Sequence, residues 1–464
     1  MYQYKGFEET IAAIATPAGT GGVAIVRLSG EKSVRILERV FVSDGGKSPS
    51  EWVTHVLHYG RITGLGGEAV DDVLAVVMRA PKSYTGEDVV EVHCHGGSTV
   101  SKSVLTCCLE NGARLALPGE FTKRAFLNGR MDLAQAEAVL DVISARNEAF
   151  LRAGRAQLDG ILSQELNAAR EALMAVYTQI EALINFPEDD TQDRQEEPLA
   201  MSLAREAARL EGLLDTAAVG RVMKEGARIV ICGRPNVGKS SLLNALLKAP
   251  RAIVTDVAGT TRDVLEEQIM LGGIPVNLMD TAGILEPRDK VEAEAVRRTR
   301  ASLKSADIVL FVLDGSVPLS SEDRMIFDGI RNPHICVVVN KSDMSPAFQD
   351  DALQGWNGGR GFLRVSADTG ENIPGLEARI RAIVLDGRDI DPHGAVLTNL
   401  RHVEALRRAL AALQRSGESV VQQYSLEFMV EDIKLAVNEL DAITGRNIDA
   451  DLLEQIFSKF CIGK

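Results

Sequence analysis

The segment GRPNVGKSS (233–241) has the residue types and spacing that handle phosphate. It follows an apolar strand, RIVICG, and opens a helix, SLLNALL, so G-x-x-x-x-G-K-S stands in a strand–loop–helix context. Glycines let backbone N–H groups approach phosphate oxygens, and the positive end of the helix adds to the attraction. Asn236, Val237, Gly238, Lys239, Ser240 and Ser241 form the cradle. Lys239 reaches the β- and γ-phosphates, and the Ser240 hydroxyl holds Mg²⁺. A chance glycine-rich turn would not be followed by the ordered motifs that come next.

TDVAGTTRD (255–263) supplies a Thr-rich loop. Thr255, Asp256, Val257, Ala258, Gly259 and Thr260 line the nucleotide, and Thr261 gives Mg²⁺ its second hydroxyl. DTAG (280–283) ends strand VNLMD: Asp280 acts on the metal side, Thr281 and Ala282 follow, and the Gly283 N–H senses the γ-phosphate. NKSD (340–343) ends strand ICVVVNK, with Asn340, Lys341 and Asp343 at the base. The Asp343 carboxylate accepts two hydrogen bonds from guanine N1 and N2, which adenine cannot offer. In SAD (366–368), between Ser366 and Asp368, the Ala367 N–H meets guanine O6. Four motifs in this order make a GTPase. Many such enzymes orient the attacking water with a Gln directly after DTAG. That position is Ile284 here, which cannot do so. Glu286 and Glu292 are the nearest downstream carboxylates, each equally readable as a solvated charge, and spacing does not choose between them.

These motifs need several domains to position them. The chain has 464 residues, too many for one core. Apolar residues make up 45% and charged residues 25%, which excludes disordered, collagen-like and small disulfide-stapled classes. The net charge of −14 argues against a surface that grips nucleic acid throughout, because such grip needs Lys and Arg. Acid excess concentrates in the two helical segments, so any positive surface for RNA is local or supplied by a partner. Six scattered cysteines show no C-x-x-C spacing. With no signal peptide and no run of 18 apolar residues, a cytoplasmic protein without a membrane role is expected.

Residues 1–125 carry short strands such as GVAIVRL, VDDVLAVVM and DVVEVHC, broken by turn residues. From 126 the apolar spacing turns helical, and no proline occurs between Pro118 and Pro187. Asp132 and Gln135 are placed as an N-cap and its capping-box partner. NFPEDDTQDRQEEP (185–198) is a polar loop. Residues 221–384 alternate apolar strands with helices, the pattern of a parallel α/β sheet, and 385–464 return to helix. The expected architecture is multidomain α/β plus all-α. An N-terminal α+β domain (1–125) comes first, and a helical domain follows in two segments, 126–220 and 385–464. A Ras-like P-loop domain (221–384) is inserted between them. Insertion is feasible because domain termini often lie close together.

GRPNVGKSSLLNAL, TDVAGTTRD, DTAGI, NKSD and the final FSKFCIGK together resemble the tRNA-modification GTPase MnmE (TrmE) family. SYTGEDVVEVHCHGG (83–97), PGEFTKRAFLNGR (118–130) and DLAQAEA (132–138) extend the resemblance over essentially the whole chain. It implies a homodimer joined through a tetrahydrofolate-binding-like N-terminal domain. It also implies a GidA (MnmG) flavoprotein partner carrying FAD, in a heterotetramer, and tRNA as substrate. The product would be a carboxymethylaminomethyl or aminomethyl group at C5 of the wobble uridine (U34). K⁺ would be held by Asn236, Thr255, Val257 and Thr260 where other GTPases put an arginine finger, and would stimulate hydrolysis. The family's water-orienting glutamate falls on Glu292. A 5-substituted or methylene tetrahydrofolate maps onto Arg27, Glu91, Arg130 and Lys464; basic groups suit its glutamyl carboxylate and Glu91 suits the pterin's donor edge. The chain departs from the family at Thr20 and at Leu285, where Arg is common. The rival reading is a GTP-operated switch or ribosome-assembly GTPase without one-carbon chemistry.

Cys461 superficially matches a lipidation box, but Lys464 is a poor final residue for one. The resemblance places its thiol near the folate one-carbon group; a small buried hydrophobe is the alternative. His93 and His95 share one strand face with Cys94 on the other, which argues against a metal site. Cys107 and Cys108 belong to a helix core, and Arg297, Arg298 and Arg300 to a solvated helix face.

Overall fold

The computed structural model describes residues 8–43, 46–185, 199–247, 267–271, 273–280, 303, 305–330, 332, 334–354, 361–385, 394–422 and 424–464. Thr255–Thr261, Thr281–Gly283, Ile284, Glu286, Glu292, the three arginines at 297, 298 and 300, and the polar loop after Asn185 lie outside them. Asp280 is described only as backbone at the end of a strand.

The chain divides into two compact units, residues 1–143, 157–203 and 411–464 in one and 144–156 with 204–410 in the other. The first holds a seven-stranded sheet in the order β3-β4-β5-β6-β2-β1-β7. Its strands are β1 (Ile11–Ile14), β2 (Val23–Ser29), β3 (Phe41–Ser43), β4 (Leu57–Thr63), β5 (Ala69–Met78), β6 (Val89–His95) and β7 (Arg114–Leu115). Alternation decides its faces. Ala24, Val26, Leu28, Val90, Val92 and Cys94 turn into a core with Cys107 and Cys108 of the Ser98–Glu110 helix. Arg27 and Glu91, directly opposite in the β2–β6 register, turn the other way.

Long helices complete this unit. Leu426–Thr444 packs along Ile161–Asn185, with an Arg170 Nε–Asp441 Oδ1 contact of 2.6 Å. The expected capping box opens the Leu133–Ser144 helix: the Gln135 N–H donates to Asp132 Oδ1 at 2.9 Å, and the Asp132 N–H to Gln135 Oε1 at 3.0 Å.

The second unit is built on a six-stranded sheet in the order β13-β12-β11-β8-β10-β9. The strands are β8 (Ala227–Cys232), β9 (Glu267–Leu271), β10 (Ile274–Asp280), β11 (Ile308–Asp314), β12 (Ile335–Asn340) and β13 (Phe362–Arg364). All neighbours are parallel except β9 and β10. Every residue of β11 and β12 is buried, as the covered faces of a parallel sheet require of apolar runs. Phe150, Val219, Val222 and Met223 join the core of Ile229, Ile231 and Leu310, so helical segments before the sheet in sequence belong to its unit.

Candidate functional site

The carboxyl ends of β8, β11 and β12 bring the phosphate and guanine motifs to one edge of the sheet. β8 lies between β11 and β10, at the reversal of strand order where doubly wound sheets bind ligands. Leaving β8, the loop turns through Gly233 (φ 146°), Asn236 (φ 65°) and Gly238 (φ 94°) into the Lys239–Leu247 helix. A Cβ on Gly233 would stand 2.3 Å from the Val312 carbonyl oxygen, and one on Gly238 would stand 2.1 Å from Asn340 Nδ2. Both glycines are therefore required by close approach as well as by φ. Lys239 Nζ donates to the carbonyls of Gly233 (3.0 Å) and Arg234 (2.8 Å), which holds the ammonium across the loop. Val237 is buried, while Asn236, Ser240 and Ser241 are at least partly exposed at the start of the helix.

Asn340 joins this loop to the guanine edge. It is 2% exposed; its Nδ2 donates to the Val237 carbonyl at 3.0 Å and its Oδ1 accepts the Ala367 N–H at 3.0 Å. Lys341 (φ 64°) donates to Asp314 Oδ2 at 2.5 Å. Burial alone would raise the Asp314 carboxyl; its hydrogen bonds from Lys341 and Ser316 outweigh burial and hold it below the usual range. Ser366 is fully buried, and Asp343 and Asp368 are exposed. At the phosphate end the loop backbone and Lys239 stand together, and at the base end Asp343 is exposed. Ser240, the residue expected to hold Mg²⁺, is exposed in the first turn of the Lys239–Leu247 helix.

Three of the four folate candidates, Arg27, Glu91 and Lys464, come together in the first unit. Arg27 Nε donates to Glu91 Oε1 at 2.8 Å, and Arg27 lies over the Tyr84 and Phe121 rings at 5.4 and 5.7 Å. His93 Nε2, buried and without a hydrogen bond among the described residues, lies 3.5 Å from Glu91 Oε2. Such an orphaned polar atom fits the heteroatom edge of a pterin. The final residues fold back onto this set: Arg27 donates to the Gly463 carbonyl at 3.3 Å. Gly463 (φ 95°) leaves no room for a Cβ, which would stand 2.5 Å from the Ile14 carbonyl oxygen. Lys464 is half-buried, and its amine is pushed below its ordinary value by burial and by Arg27, against the pull of Glu91 and Cys461. Cys461 is exposed, whereas the other five cysteines are buried, which removes the buried-hydrophobe reading. Burial pushes the Cys108 and Cys232 thiols up to about 12.

Arg130 lines a cavity of about 350 Å³ with His55, Met78, Lys82, Ser83 and Tyr84. Tyr84 thus links the Arg130 cavity to Arg27. The motif that contains Tyr84 assigns it no role in the sequence; its place in the loop between β5 and β6, with its ring under Arg27, reveals one. Its hydroxyl, raised by burial, remains a neutral partner for Thr122 at 2.8 Å. No group of His, Cys, Asp and Glu able to hold a metal is found among the described residues.

Residues 10–130 match the GTP-binding protein TrmE N-terminus, and 133–461 match the MnmE helical domain. The chain belongs to the MnmE (TrmE) family of tRNA-modification GTPases. It is 45% identical over 463 residues to the tRNA modification GTPase MnmE of Heliobacterium modesticaldum, covering 98% of this chain and 99% of that protein. The corresponding protein of Carboxydothermus hydrogenoformans is 43% identical over 461 residues, 98% and 100%. As an MnmE-family member the chain is a GTP hydrolase acting in tRNA modification, so GTP and Mg²⁺ belong to its chemistry. Among its described helices none is long and apolar enough to cross a membrane.

Proposed function

We propose that this chain hydrolyses GTP under K⁺ stimulation to drive wobble-uridine modification. With a flavoprotein partner of the GidA (MnmG) class it installs a carboxymethylaminomethyl or aminomethyl group at C5 of U34 in certain tRNAs, in the cytoplasm and as a homodimer. The folded-back tail supports this reading: it puts Gly463 and Lys464 beside the Arg27–Glu91 pair, with Cys461 near Lys464, in the same chain as a nucleotide cradle. A reduced folate bound there supplies the one-carbon unit. Glu91 accepts from the pterin's donor edge, and Arg130 and Lys464 meet its glutamyl carboxylates. In the other unit Lys239 binds the β- and γ-phosphates and Ser240, with Thr261, holds Mg²⁺. Asn236, with Thr255, Val257 and Thr260, binds K⁺, and Glu292 orients the attacking water.

Nucleoside mass spectrometry of tRNA from a strain lacking the gene tests the modification. The modified wobble uridine should vanish and return with the wild-type chain but not with Lys239→Ala. Unchanged wobble uridines in the deletion strain would sink the reading and leave the switch GTPase in its place. Equal GTP turnover in KCl and NaCl would remove K⁺ from it.

A further inference from the structure

Arg234, the second residue of the phosphate loop, is tied to a residue outside every nucleotide motif. Its Nε donates to Asp323 Oδ1 at 2.6 Å. Asp323 is 1% exposed and sits in the first turn of the Ser321–Gly329 helix. Its second oxygen accepts both the Ser320 N–H (3.0 Å) and the Ser320 hydroxyl (2.8 Å), closing a capping box. Both carboxylate oxygens are therefore committed.

A capping box works at a protein surface and needs no arginine. Burying its carboxylate is costly unless a cation and further donors satisfy it, and here they do. The result is a fixed anchor facing the loop. Arg234 carries that anchor into the nucleotide cradle, because its own carbonyl accepts Lys239 Nζ at 2.8 Å. The neighbouring peptide is confined too, with Gly233 wedged against the Val312 carbonyl.

We propose that Asp323 is a positioning residue for GTP: through Arg234 it fixes the loop conformation in which the backbone donors and Lys239 meet the phosphates. The inference rests on reading residues 233–241 as the nucleotide cradle. Asp323→Asn keeps an oxygen for Ser320 but removes the charge that holds Arg234. Loss of a charge-assisted contact of this kind should weaken binding of a fluorescent GDP analogue to the full chain roughly tenfold or more. KM for GTP should rise in step, with a smaller change in kcat. Arg234→Gln should lose a similar factor, and the double variant no more than the worse single, since both break one link.

A merely structural role would lower the thermal midpoint and leave the nucleotide affinity of the folded protein unchanged, and that result overturns the proposal. Should Asp323→Asn fail to fold, Arg234→Gln decides: unchanged affinity refutes the link. Lys239→Ala separates the two readings. If it loses nucleotide while Asp323→Asn and Arg234→Gln bind normally, the Asp323 link alone fails. If Lys239→Ala itself binds normally, the cradle reading fails.

Discussion

At Lys464, burial and the nearby Arg27 guanidinium both disfavour the charged amine, so it loses its proton below its ordinary 10.5. A folate carboxylate needs the ammonium form. Affinity should therefore fall as pH rises through the depressed value. The sign for stability is the reverse: between that value and 10.5 the unfolded chain binds more protons, so folding gains with pH there. Titrating a reduced folate between neutral and alkaline pH checks the first effect. Lys464→Arg keeps its charge throughout and should lose the alkaline fall; an identical fall in both proteins would remove Lys464 from the site. This residue's role comes from the resemblance of the tail, because nothing in residue spacing says that Gly463 reaches Ile14 or that Arg27 accepts the tail as a partner. Phosphate and guanine residues are legible for the opposite reason. Their chemistry demands fixed spacing within short stretches, each following its own strand.

Elements announce themselves where the pattern is local. Asp132 and Gln135, three residues apart, predict a reciprocal cap, and both hydrogen bonds are present. Asp132→Ala should cost about 1 kcal/mol, read as earlier urea unfolding, because the Gln135 N–H loses its acceptor at the start of a helix. Asp132→Ser keeps an acceptor and should stay within about 0.5 kcal/mol of wild type. Unfolding of Asp132→Ala indistinguishable from wild type would show that the cap adds nothing. The fully apolar runs of β11 and β12 likewise advertise a parallel sheet. Grouping is harder to see. Residues 148–156 are as helical as the segments around them, yet Phe150 packs into the nucleotide unit's core. Long-range burial of that kind leaves no periodic trace, and neither does the Arg234–Asp323 link across 89 positions.

On the scale of the whole molecule, charge limits what this chain can do alone. Its net charge is −14, and neutralising phosphates requires clustered Lys and Arg that release counterions. Acid excess lies in the helical segments, while several basic groups are already engaged: Arg124 and Lys123 are buried and paired with Glu87 and Glu454, and the partly exposed Arg27 is paired with Glu91. A fully engaged arginine offers little to an RNA backbone. The isolated chain should therefore bind tRNA weakly, with a shallow dependence of log affinity on log salt. Each phosphate contact adds about 0.7 to 0.9 to that slope, so the proposed flavoprotein partner, where it supplies the phosphate contacts, should steepen it by that amount per contact. Filter binding across about 50 to 200 mM salt, with and without the partner, measures both slopes. Tight, steeply salt-dependent binding by the chain alone would place the main tRNA-gripping surface here, despite the acidity.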